Sequence, residues 1–390
     1  MGVLWLAVGA FAIGTEAYVL AGLLPVIAAD LQVSVAAVGQ LVTVYALTYA
    51  LVSPILAVAF TNLDRRNLMV VALGCFVAGN LVAVLASSFA VLLFSRMLMA
   101  LGAGLYMPTA LSIAGAIAPP ERRGRAVALV TSGISVATIV GVPFGTVIGS
   151  LYGWQATFAA VALLGAVALA SLLFGLPRGL PRTTATLGQR LAVARHNGVL
   201  HALATTALWA AGCLLVYTYL SVPLRGLGFS ASEISLALLV FGAAAAIGNM
   251  LGGALSDRIG HVPTATLALG ALAMALTLQS MALKFAAPEH ARYLMLLMVF
   301  CAGVAGWAFF PAQIANIVRL EPEVSMIALS LNASAMYLGF ALGGAAGGIV
   351  LATLEPSDLG WIGGCSAAAA LALLLFRSWQ EQPGLQKIAG

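Results

Sequence analysis

Twelve long apolar stretches separated by short polar segments constrain this chain more than any other feature. They run over about 3–29, 35–60, 68–86, 90–118, 125–150, 154–176, 199–224, 232–256, 263–284, 292–318, 325–353 and 358–377. Each is near or above the roughly 20 residues with which an α-helix crosses hydrocarbon. Backbone polar groups in lipid must be satisfied internally, which leaves helices or a closed barrel. The runs lack the strict alternation of barrel strands, so the fold class is an all-α membrane protein of twelve transmembrane helices. Only 7% of the 390 residues are charged, against about 25% in soluble domains. The first stretch has no basic leader and is too long for a signal-peptide core, so it reads as the first span.

The polar segments set the orientation. If the N-terminus is cytoplasmic, thirteen Lys and Arg residues fall on the inner side and three, Arg225, Lys284 and Arg292, on the outer side. The positive-inside rule then puts both termini in the cytoplasm. The longest polar segment, 177–196, carries four arginines and reads as a cytoplasmic linker. It joins an N-terminal six-helix half (1–176) to a C-terminal one (197–378), with a tail at 379–390. Pro25 and Ser34 recur as Pro223 and Ser232, and Gly141 recurs as Gly339, each 198 residues on. The TNLDRR loop at 61–66 is answered by DRIGH at 257–261. Two repeated six-helix units that rock against each other are a transporter arrangement.

Eleven of the twelve acidic residues lie in loops or at helix ends, and Glu16 alone falls deep inside a span. A charge at that depth costs about 3 kcal/mol or more, so such residues mark function. The one basic residue inside a span is Arg96, roughly 9 Å inside its outer boundary at 1.5 Å per residue. A nearby guanidinium favours the charged carboxylate and burial favours the neutral acid. Opposed influences of that kind suit a group that loads and releases a proton. The alternative for Arg96 is to snorkel to the interface or to cap carbonyls.

Four stretches resemble the major facilitator superfamily over essentially the whole chain, and within it the twelve-span drug:proton antiporters related to bacterial arabinose/sugar-efflux and chloramphenicol-efflux proteins. The first is Gly14-Thr15-Glu16-Ala17-Tyr18 running into Ala21-Gly22-Leu23-Leu24-Pro25. The second is Gly253-x-x-x-Asp257-Arg258-x-Gly260, similar to the superfamily's gating loop, in which Gly253 is expected to let helices approach and Asp257 to pair with a helix start. Its counterpart after the second span departs from the pattern, with Ala57 and Thr61 where Gly and Asp are usual, although Asp64, Arg65 and Arg66 remain. The third, Leu92-x-x-x-Arg96 with Gly102 and Gly104, resembles the motif whose arginine influences the proton site. The fourth, Gly141-Val142-Pro143-Phe144-Gly145-x-x-x-Gly149, resembles the antiporter motif. Its glycines share one helix face, which Pro143 is expected to bend, and tight packing of that face against the other half would block leak.

The resemblance implies a pseudo-symmetric two-half carrier that exchanges protons for small amphipathic molecules. Sugar or nucleoside efflux by the same mechanism is the alternative, and a non-transporting sensor or enzyme a remote one. Polar and aromatic residues within spans supply the candidate cavity: Tyr45, Tyr49, Thr109, Ser135, Thr138, Trp209, Tyr217, Asn249, Trp307, Gln313, Asn316, Asn332 and Tyr337. Each also has an ordinary reading as a helix–helix hydrogen bond or a lipid-facing ring. Gln313, Asn316, Asn332 and Tyr337 are the stronger cavity candidates, with Trp307, Phe309 and Phe310 as an aromatic wall. No phosphate-binding Gly-Lys-[Ser/Thr] loop, metal-ligand spacing or hydrolase motif occurs, so no cofactor, metal or catalytic residue is expected. The four cysteines read as small core residues. The expected partners are a small-molecule substrate, protons and the lipid bilayer, with no nucleic acid and a working monomer.

Overall fold

The computed structural model describes residues 2–59, 64–119, 122–175, 188, 192–193, 195–320 and 324–380. Twelve of its helices are long and apolar enough to cross a membrane. These are α1 (Gly2–Asp30), α2 (Val35–Ala59), α3 (Arg65–Val84), α4 (Phe89–Ile117), α5 (Arg123–Tyr152), α6 (Trp154–Gly175), α7 (Asn197–Gly226), α8 (Ala231–Ile259), α9 (His261–Phe285), α10 (Pro288–Leu320), α11 (Ser325–Thr353) and α12 (Leu359–Gln380). α10 starts four residues before the expected 292. Pro288 and Glu289 explain this, because a first-turn proline lacks only a surplus N–H and a first-turn carboxylate faces the positive helix end. Most of the linker, Thr61, and the 381–390 tail lie outside the described residues.

Helix pairing repeats along the chain. α1 packs on α5, α2 on α4, and α3 on both α4 and α6. Six helices later, α7 packs on α11, α8 on α10, and α9 on both α10 and α12. The two sets meet along two seams, α2 against α11 and α5 against α8. Small residues make these contacts, as expected where lipid offers helices no hydrophobic gain on pairing. A Cβ at Gly339 would strike the Ala207 carbonyl, and one at Gly343 the Ala211 carbonyl. Across the seams, Gly242 lies on the backbone of Thr138 and Ile139, Gly344 on Thr43, and Gly348 on Gln40.

Expectations change for the α5 glycines, for Gly253 and for the cysteines. The α5 glycines do not face the other half. Gly141 lies on Thr15, Gly145 on Val19 and Gly149 on Leu23, all of α1, so this face closes the first half on itself. α5 is not an even α-helix either, since Ala137–Gly141 form a π turn just before Pro143, whose missing N–H breaks the ladder there. Gly253 has open space where a Cβ would stand, whereas its neighbour Gly252 lies against the Ala308 carbonyl and Gly248 against that of Val304. α8 is capped by Ser230, in a reciprocal capping box with Glu233. Cys75, Cys213 and Cys301 are half-buried and Cys365 is exposed, so none belongs to the fully buried core.

The seam contacts lie between mid-depth and the end bearing the 31–34 turn, the turn end. Beyond mid-depth, toward the end where α6 stops and α7 begins (the linker end), Thr131 and Ser132 of α5 and Asn249 of α8 are exposed. Among the described residues, the glycine contacts that join the two sets lie at mid-depth, at Gly242, and toward the turn end, at Gly344 and Gly348.

Gly252→Ala is expected to destabilise the protein by about 1–3 kcal/mol, the usual cost of overpacking. Gly253→Ala is expected to leave it unchanged. Thermal unfolding of the two variants in detergent micelles checks the contrast.

Candidate functional site

Glu16 sits midway along α1 and is wholly buried. Two contacts hold α1 in place around it. Its Thr15 and Val19 side lies in the α5 glycine face, and the Tyr106 hydroxyl of α4 donates 2.8 Å to the Leu6 carbonyl. Glu16 Oε1 forms an ion pair with Nη1 of Arg96, also wholly buried, on α4. Arg96 Nε donates 3.2 Å to the Leu41 carbonyl of α2, and its guanidinium carbon stands 4.4 Å from the centre of the Tyr45 ring. Thus Arg96 both pairs with Glu16 and caps a carbonyl, and does not snorkel. Glu16 Oε2, Arg96 Nη2, the Tyr45 hydroxyl and Thr15 Oγ1 are buried without a hydrogen-bond partner. A buried pair with unsatisfied atoms is held by the fold against a desolvation cost, a state that one added proton changes sharply.

Aromatic rings from both halves gather beside this pair. Tyr49 of α2 stacks on Tyr337 of α11 at 3.6 Å, and Tyr45 is 6.5 Å from Tyr337. Tyr18, one half-turn past Glu16, meets the edges of Tyr217, Trp307 and Phe340 at 6.0–6.4 Å. The Tyr217 hydroxyl donates 3.3 Å to the Tyr18 carbonyl and so ties α7 to α1. The structure therefore brings Tyr45, Tyr49, Tyr217, Trp307 and Tyr337 together, and adds Tyr18, Phe340 and Phe241, which sequence reasoning missed. Tyr18 had a signal, lying within the same first-span signature as Glu16.

Other candidates are committed elsewhere. Trp209 Nε1 donates 2.9 Å to the Gly306 carbonyl, and the Trp209 ring carries the wall of Trp307, Phe309 and Phe310. Gln313 Nε2 donates to the Ala202 carbonyl at 2.7 Å and to Thr206 at 3.0 Å. Thr206 in turn donates to Asn332 at 2.7 Å. This network binds α7, α10 and α11 within the second half. The Thr109 and Thr138 hydroxyls bond back to carbonyls of their own helices, Leu105 and Ser135. Asn316 is half-buried near the linker end, beside His201 and Arg377. Asn249 is exposed.

In the gating stretches, Arg66 donates to the Leu173 carbonyl of α6, and Arg65 is buried with Nε unpartnered. Asp64 precedes α3 without a side-chain cap. Asp257 and Arg258 are exposed and form no ion pair with a described residue, while Gly260 takes φ +90° between α8 and α9. At the turn end, Lys284 pairs with Asp358 at 2.5 Å and Arg292 with Glu233 at 2.6 Å.

Removing either partner of the Glu16–Arg96 pair leaves a buried charge alone, at a cost of about 3–5 kcal/mol. Glu16→Gln and Arg96→Met should each lower stability by about that much, and the double substitution should cost clearly less than their sum. A double-substitution cycle of thermal unfolding measures this.

The Major Facilitator Superfamily model matches residues 6–225 and again 217–389. The uncharacterised MFS-type transporter YbcL of Bacillus subtilis is 36% identical over 97% of this chain and 96% of its own length. The inner membrane transport protein YdhP of Escherichia coli is 34% identical over 97% and 96%. Two solved structures share the fold. A bacterial homologue of the human lysosomal transporter Spinster, inward-facing and unoccupied, superposes with a TM-score of 0.70 at 19% identity over 96% of this chain and 94% of its own. A D-xylose–proton symporter superposes with 0.79 at 16% over 95% and 96%.

Proposed function

This chain belongs to the Major Facilitator Superfamily and is a multi-pass membrane transporter rather than an enzyme; on that premise we propose that it is a proton-coupled antiporter exporting small amphipathic molecules. The observation that carries this reading is the buried Glu16–Arg96 pair, which holds the one acid at mid-span depth. In the proposed cycle Glu16 takes a proton when the central site faces outward. Its neutralisation favours substrate release, and the proton leaves when the site faces inward. The membrane potential supplies about 2.3 kcal/mol per charge per 100 mV.

The orientation proposed puts the linker end in the cytoplasm. Among the described residues the turn end carries three Lys and Arg residues, Arg225, Lys284 and Arg292, and the linker end nine, which supports the asymmetry read from the loops. On that orientation the glycine-packed turn end of the α2–α11 seam faces outward. The gathered tyrosines and Trp307 suit flat apolar or cationic molecules, which stack on aromatic faces. The sugar-efflux alternative loses support, because Gln313 Nε2 and Asn332 Oδ1 are engaged between helices.

Inside-out vesicles loaded with a pH dye and given ethidium, tetraphenylphosphonium or chloramphenicol test the reading. Wild type is expected to release protons on addition of a substrate, and Glu16→Gln to release none. Substrate accumulation against its gradient by Glu16→Gln would remove Glu16 from the proton path.

A further inference from the structure

One face of α2 links the ion pair to the opposite half. Leu41, Tyr45 and Tyr49 follow at four-residue steps and so share that face. The Leu41 carbonyl accepts from Arg96 Nε at 3.2 Å, and the Tyr45 ring covers the Arg96 guanidinium at 4.4 Å. One turn on, Tyr49 stacks on Tyr337 at 3.6 Å, and Tyr337 also stands 6.5 Å from Tyr45. Tyr45 is therefore in contact with the charged pair on one side and with α11 on the other. Its ring is 2% exposed and its hydroxyl has no partner, so its position is set by ring contacts alone. The α2–α11 seam that it borders is one of the two along which the halves meet, closed at the turn end by Gly344 on Thr43 and Gly348 on Gln40.

We propose that Tyr45 is a positioning residue that transmits the protonation state of Glu16 to the α2–α11 seam, by presenting its ring to the Arg96 guanidinium and its flank to Tyr337. The proposal rests on the proton-coupled reading. With Glu16 ionised, Arg96 shares its charge between the carboxylate and the Tyr45 face. When Glu16 accepts a proton from water the carboxylate charge is gone, and the buried guanidinium retains the Leu41 carbonyl, the weakly accepting Met99 sulfur and the Tyr45 ring. Attraction to an aromatic face strengthens in a desolvated site, so the cation draws on Tyr45 and the Tyr45–Tyr49–Tyr337 packing shifts with it.

The other titratable groups facing this cluster are Tyr18 of α1, Tyr49 of α2, Tyr217 and Cys213 of α7, and Tyr337 of α11. α5 and α6, also packed on α1, bring no ionisable side chain to this depth. Among the described residues, Glu16 and Arg96 are thus the only charges at this depth that the ring can report.

The test uses spin labels at Gln32→Cys and Thr353→Cys, both exposed at the turn end. They are placed in full-length protein whose native cysteines are serine, reconstituted in nanodiscs. Pulsed dipolar distances are recorded in mildly alkaline and mildly acidic buffer. Wild type is expected to gain a longer-distance population on acidification, and Glu16→Gln to show the same distribution at both pH values. Tyr45→Phe, which keeps the ring, should respond like wild type, and Tyr45→Leu should lose the response while still eluting as a folded protein. Should Tyr45→Leu fail to fold, Tyr337→Leu, which leaves the surroundings of Arg96 intact, carries the same expected loss. A full acid response in the leucine variants overturns the relay alone. Loss in Tyr45→Phe equal to that in Tyr45→Leu also overturns it, by assigning the effect to the hydroxyl. A wild type that ignores acidification overturns the proton-coupled reading and the relay with it.

Discussion

Lipid takes away the usual reason for helices to associate, since a leucine is as well solvated by acyl chains as by another helix. What remains is close backbone contact, interhelical hydrogen bonding and the few charges the fold can hide. The chain meets this constraint with glycines. Gly141, Gly145 and Gly149 bring α5 onto α1, Gly339 and Gly343 bring α11 onto α7, and Gly248 and Gly252 bring α8 onto α10. These contacts fix the frame in which Glu16 meets Arg96. α1 carries the acid and α4 the guanidinium, and a displacement of either helix by a few ångström would leave both charges alone in the hydrocarbon.

The two halves share this frame but stabilise its interior differently. In the first, α1, α2 and α4 are joined through an ion pair, a carbonyl and an aromatic face. In the second, α7, α10 and α11 are joined through the neutral amides of Gln313 and Asn332 around Thr206. A proton alters the first network and has no carboxylate to act on in the second. Pseudo-symmetry of backbone therefore coexists with asymmetry of electrostatics.

The twelve spans were legible because lipid demands a specific length and composition, and the mid-span Glu and Arg because a charge in an apolar run is too costly to be incidental. What could not be read was which helix each face meets. The spacing of Gly141, Gly145 and Gly149 establishes a face, yet the same spacing serves a partner in the same half or in the other, and here it is α1. One residue is about 100° of helix rotation, so Gly252 meets α10 while Gly253 of the motif faces open space. Gln313 and Asn332 looked like cavity residues because their partner is Thr206, a residue type with little signal in a membrane helix. The aromatic cluster draws on α1, α2, α7, α8, α10 and α11, and nothing along the chain announces that they converge.

The π turn at Ala137–Gly141 lies where α5 meets α8, with Gly242 against Thr138 and Ile139 inside it. Its repeat mate α11 is an unbroken α-helix from Ser325 to Thr353. The two bearings on which the halves turn are therefore unequal in stiffness. A wide turn holds a looser hydrogen-bond ladder, so the α5–α8 contact has compliance that the α2–α11 contact lacks. A rocking movement between such bearings is not a symmetric hinge.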